Sequence, residues 1–134
     1  MTVPSDMSAQ ICAALTALPD DVAAALREAR RAILRIALQT DGVGPLTETL
    51  KWGEPAFLTE TPKTGTTLRL GRINGRAAVM VPCSTTIIED ARQRFGDVPH
   101  LSGKRGVILG EDEELVEYVI ASALTYHIRK RIRV

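Results

Sequence analysis

The sequence predicts an α+β domain: an antiparallel β-sheet packed against N-terminal helices and a long C-terminal helix. Three observations lead there. Apolar residues recur at helical spacing near both ends of the chain, the middle alternates apolar and polar residues, and Asn74-Gly75 sits between two of the alternating stretches. Helices first and last with strands between favour an antiparallel sheet covered on one face. The chain has 134 residues, so residues 1–134 are expected to form a single domain, since chains usually divide only above roughly 250 residues.

The elements follow in order. Ile11, Ala14, Leu15 and Leu18 predict a short first helix, capped by Ser5 or Ser8 and ended by Pro19. A longer helix starts at Asp20. Its buried stripe is Val22, Leu26, Ala29, Ile33 and Ile36, with Arg27, Arg30, Arg31 and Arg35 expected on the opposite side. Glycines 42 and 44 and Pro45 stop it. A strand is expected over 47–52, broken by Gly53-Glu54-Pro55 and resumed at Ala56-Phe57-Leu58. Strands over 66–73 and 76–81 flank Asn74-Gly75, the dipeptide whose positive φ angles suit a type I′ turn. Along the first of these, Leu68 and Leu70 alternate with Thr67, Arg69 and Gly71, so Arg69 is expected to face a cleft or solvent, with Arg72 as a further candidate. A helix capped by Ser84 and running to about Phe95, a loop marked by Gly96, Pro99 and Gly103, a strand over 105–109 and a helix from Glu111 to about Arg131 complete the chain.

Composition narrows the function. With 17 Lys+Arg against 16 Asp+Glu the formal net charge is +1, which removes the basic excess a nucleic-acid binder carries. The N-terminus has neither the basic region nor the apolar run of a secretory signal, and no apolar stretch approaches the roughly 20 residues that span a bilayer. A cytoplasmic protein without a membrane partner is expected. The two cysteines, Cys12 and Cys83, are isolated thiols; Cys12 is expected to pack as a small buried hydrophobe, and Cys83 has no nearby histidine to activate it. No serine, histidine and aspartate are spaced as a catalytic set, so catalysis has no assembled signature.

The most unusual stretch is Leu50-Lys51-Trp52-Gly53-Glu54-Pro55-Ala56-Phe57, which holds the only tryptophan and one of two phenylalanines. A sharp bend there would present Trp52 and Phe57 to one pocket, with Lys51, Glu54 and Arg69 orienting a ligand at its rim; the plain alternative is that both rings are core. The segment Trp52-Gly53-Glu54-Pro55-Ala56-Phe57 resembles the W-G-x-P-x-F core of the YdhG-like domains of unknown function. The likeness extends to the preceding helix, the following hairpin, the Gly103-Lys104-Arg105-Gly106 turn and a C-terminal helix. It implies a small binding domain without a cofactor, taking a small-molecule ligand or a protein partner. Because some relatives are described as frataxin-like iron chaperones, it also implies iron binding as an alternative. The chain departs from the pattern in the long connection from Thr59 to Gly65.

The residue types leave those alternatives open. The densest acidic group, Glu111, Asp112, Glu113, Glu114 and Glu117, has the hard oxygen ligands that iron would need, yet acids in a first helical turn are favoured by the helix dipole whatever the function. His100 and His127 are too far apart in sequence to form a ligand pair. Lys104, Arg105 and Arg69 are candidates for a loose anion site serving an enzyme of small anionic metabolites, although the turn is no nucleotide-triphosphate loop. The basic run from Arg129 to Arg133 complements a helix C-terminus.

Overall fold

A computed structural model describes residues 8–60 and 63–128; the Ser5 cap, Thr61-Pro62 and the basic run from Arg129 lie outside the described residues. The elements are α1 (Ala9–Thr16), α2 (Asp20–Gln39), β1 (Leu46–Lys51), β2 (Glu54–Thr59), β3 (Leu68–Ile73), β4 (Arg76–Met80), α3 (Ile87–Phe95), β5 (Leu101–Ser102), β6 (Gly106–Ile108) and α4 (Glu113–Leu124). The strands form one antiparallel sheet in the order β1-β2-β3-β4-β6-β5, with core side chains of one face meeting those of the helices. This is the expected α+β architecture.

Helices α1 and α4 start at side-chain caps. Ser8 Oγ accepts the backbone N–H of Ile11 at 3.2 Å and starts α1. Along α2 the predicted stripe of Val22, Leu26, Ala29, Ile33 and Ile36 is buried. Arg30 departs from its expected solvent position: it is 2% exposed, because its guanidinium reaches Glu48 on β1. Helix α3 begins two residues later than a cap at Ser84 implies. The N–H of Thr85 bonds the carbonyl of Pro82 at 3.1 Å, so that stretch is spent on a turn.

Helix α4 starts where Asp112 Oδ1 accepts the N–H of Leu115 and runs to Leu124, where the expected helix is interrupted at Thr125; residues 126–128 are helical again, and the expected end near Arg131 lies outside the described residues. The cause of the interruption is the Thr64–Thr66 segment, whose Thr64 Oγ1 bonds the Leu124 carbonyl at 2.9 Å and whose Thr66 N–H bonds the Ala123 carbonyl at 2.8 Å. Those contacts satisfy the orphan carbonyls of the helix end. They require Gly65, since a Cβ there would lie 2.0 Å from the Ala123 oxygen. Thr59 Oγ1 holds the same glycine through both its N–H and its carbonyl.

Both hairpins turn in two residues. Asn74 (φ 52°) and Gly75 (φ 79°) join β3 to β4 as expected, and Trp52 (φ 57°) and Gly53 (φ 77°) do the same for β1 and β2. The expected break at Gly53-Glu54-Pro55 is thus a tight turn, with Glu54 and Pro55 already inside β2. Strand β5, which falls in the expected loop, is two residues long and closes the far edge against β6. Cys12 is half-buried rather than buried, and Cys83 is exposed. Among the described residues, no helix is long and apolar enough to cross a membrane.

Candidate functional site

The two rings of the motif part company. Phe57 is fully enclosed in the main core, whereas Trp52 is 90% exposed at the hairpin tip. The expectation that they line one pocket fails for a reason of pleat. A two-residue turn pairs Lys51 with Glu54, and successive side chains alternate between faces, so Phe57 and Glu54 must point to opposite sides of the sheet.

The polar trio fares differently. Lys51 opposes Glu54, and Ala56 opposes Arg69, so Lys51, Glu54 and Arg69 share the face turned away from the helices. Arg69 Nη1 donates to Glu54 Oε1 at 3.0 Å, both side chains half-buried. The Glu54 carboxylate can lie flat because its neighbour across the strand is Gly71; a Cβ there would meet Glu54 Oε2 at 2.1 Å. Lys51 has no ion-pair partner among the described residues.

Pro55 opens a cleft beside this pair. In a hairpin closed by the Lys51–Glu54 pair, residue 55 directs its backbone nitrogen towards β3, and proline carries no N–H to donate. The β2–β3 ladder accordingly includes only Ala56–Arg69 and Phe57–Leu68. Where pairing stops, Gly53, Glu54 and Pro55 face Leu70, Gly71 and Arg72, and Ala14 and Leu18 of the α1 end close the other wall around about 400 Å³. Arg72 is exposed and makes no ion pair among the described residues, while Arg69 is committed to Glu54. Among the described residues, the rim thus carries one guanidinium without an ion pair beside an apolar floor. Of the lining residues, Arg72 and the motif glycine, glutamate and proline were visible in sequence. Ala14 and Leu18 were not, because only long-range packing brings α1 to the hairpin.

A larger groove of about 630 Å³ runs between α2 and α4, floored by Ala25, Ala29, Ala32 and Val116. Four of its rim charges satisfy one another, Arg35 pairing with Glu117 at 3.1 Å and Arg31 with Glu28, and the remaining one, Glu113, is an acid. The smaller cleft is the better site for an anion, because its Arg72 makes no ion pair among the described residues whereas the groove's uncommitted charge is an acid.

The remaining candidates are dispersed. Glu111 binds Arg76 at 2.5 Å, Asp112 caps α4 and Glu117 meets Arg35, so the acidic run is divided among structural partners. Among the described residues, no three His, Cys, Asp or Glu side chains are grouped to hold a metal ion. Lys104 and Arg105 sit exposed in the β5–β6 turn, and Arg69, their supposed companion, is engaged by Glu54. Comparison of the chain with protein-family models, with curated proteins and with solved structures gives no match.

Proposed function

We propose that the chain is a YdhG-like, non-enzymatic binding domain whose cleft beside Gly53-Glu54-Pro55 holds a small molecule with an anionic end. The observation that carries the reading is the notch at Pro55, where an apolar floor of Ala14, Leu18, Pro55 and Leu70 adjoins Arg72, which makes no ion pair among the described residues. Apolar lining with a few placed polar groups is the usual division of labour in ligand pockets, and a guanidinium selects carboxylate or phosphate. Binding is favoured over catalysis because the nearby carboxylate of Glu54 is turned to the opposite face of the sheet and held by Arg69, and neither histidine belongs to the lining.

The test is a thermal-shift titration of dilute protein with inorganic phosphate and with linear carboxylates from butyrate to octanoate. A saturable rise in melting temperature is expected with at least one of these, since binding to the native state alone stabilises it. Arg72→Gln should weaken that binding roughly tenfold, the usual weight of a charged hydrogen bond. Ala14→Phe, which fills the floor, should abolish it. A flat response to the whole panel, or a response that both variants retain, removes the reading.

A further inference from the structure

The sheet has two edges, and only one is blunted. Strand β5 ends the sheet with two residues, too short to template another strand, whereas β1 is six residues long and runs in unbroken register with β2, without proline or bulge. Its mid-strand charge does not guard it either, because the Glu48 carboxylate is turned inward and held by Arg30.

The hairpin geometry fixes which backbone groups face outward. Since Lys51 and Glu54 close the two-residue turn as a hydrogen-bonded pair, Thr49 and Thr47 also direct their N–H and C=O groups towards β2. Leu46, Glu48 and Leu50 therefore direct theirs to the open edge. Among the described residues, none of these outward groups has a bond beyond the ladder.

We propose that β1 pairs antiparallel with β1 of a second copy of this chain, about a twofold axis through Thr49. Direct opposition in an antiparallel pair requires residues on the same face, so twofold self-pairing can centre on a single residue such as Glu48, Thr49 or Leu50. Centring on Glu48 sets two carboxylates opposite one another, which is destabilising. Centring on Leu50 sets Trp52 against Glu48, whose side chain is already held by Arg30. Centring on Thr49 avoids both. Glu48 then exchanges its open backbone bonds with Leu50 of the second copy, Lys51 lies opposite Thr47, and the threonines meet at the axis as a cross-strand pair. The same register carries the exposed indole of Trp52 to the level of Leu46 of the second copy, a half-buried core neighbour, at both ends of the seam. The occupant is argued from that self-complementarity, and the inference goes beyond the cleft reading because it uses none of the residues that line the cleft.

Light scattering coupled to size exclusion of the full chain should give twice the 14.6 kDa chain mass at concentrations well above a micromolar dissociation constant. Thr49→Lys, which sets two ammonium groups together at the axis, should return a monomer with an unchanged far-ultraviolet spectrum. The register is tested in a background carrying Cys12→Ala and Cys83→Ser. There Thr49→Cys should oxidise to a covalent dimer, because opposed residues in a pair that shares no backbone bonds lie within disulfide reach, and Thr47→Cys should not. A monomer at every concentration overturns the proposal. So does a dimer that Thr49→Lys leaves intact, or one in which Thr47→Cys crosslinks and Thr49→Cys does not.

Discussion

The guanidinium of Arg30 grips the carboxylate of Glu48 with two bonds, Nε to Oε2 at 2.9 Å and Nη2 to Oε1 at 2.7 Å, fastening the middle of α2 to the edge strand β1. Only 3% of the Arg30 side chain and 14% of Glu48 remain exposed, so the charges have largely left water. Breaking such a pair is costly because the surviving charge keeps its desolvation penalty, whereas replacing both partners with apolar groups is often neutral. Glu48→Leu should therefore lose about 3 kcal/mol in urea unfolding. Adding Arg30→Met to it should recover most of that loss. If the double variant is no more stable than the single one, the pair is not the reason that α2 and β1 stay together.

Trp52 occupies a backbone conformation that asparagine and glycine prefer. An L-residue in the left-handed region is disfavoured by roughly 1–2 kcal/mol, and the 90% exposed ring gains no packing within its own chain to offset that. Trp52→Asn recreates the Asn-Gly turn already present at Asn74-Gly75. Dilute protein should then be stabilised by about 1 kcal/mol, raising its melting temperature by a few degrees. A variant that melts lower would mean that the indole has a stabilising contact within its own subunit.

Two glycines with equally close neighbours should respond oppositely to alanine. At Gly65 the added Cβ would fall on the backbone of Ala123 and Leu124, which cannot move without releasing the end of α4. Gly65→Ala should cost more than about 3 kcal/mol, as strain and lost backbone bonds combine. At Gly71 the nearest atoms belong to the ends of the Glu54 and Met80 side chains, which can swing aside. Gly71→Ala should cost less than about 1 kcal/mol while displacing Glu54 from Arg69. Thermal melts of the two variants decide it, and equal destabilisation would show that the Gly71 contact is as rigid as the one at Gly65.

What was legible in the sequence is what local rules control. The stripe of α2, the Asn74-Gly75 turn and the apolar side of α4 are set by periodicity and turn chemistry, and each lies where those rules place it. Trp52-Gly53 obeys the same turn rule, with glycine in its second position, but tryptophan in the first position and proline shortly after disguised it as a break. Pleat alternation then separates Phe57 from Glu54, a consequence available from sequence once that turn is recognised. Other features depend on partners distant in the chain. Burial of Arg30 follows from Glu48 on another element, and the break at Thr125 follows from Thr64, neither of which periodicity can report.

The exposed pair at the start of α4 gives stability a pH dependence of known sign. Glu111 accepts from Arg76 Nη2 at 2.5 Å, and that hydrogen bond, followed by the positive charge of Arg76, holds its carboxyl below the ordinary glutamate range. A group whose pKa is lower folded than unfolded adds stability above its unfolded pKa and loses it as the pH falls through the folded one. The stability gap between the wild type and Glu111→Gln should therefore be widest near neutrality and close as the pH drops below the ordinary value of about 4.3. Because the pair is surface-exposed, the gap should be small and should shrink further in high salt. Denaturant midpoints measured from neutral to acid pH at two ionic strengths would show this convergence; parallel curves would mean that Arg76 and Glu111 do not interact when the protein is folded in solution.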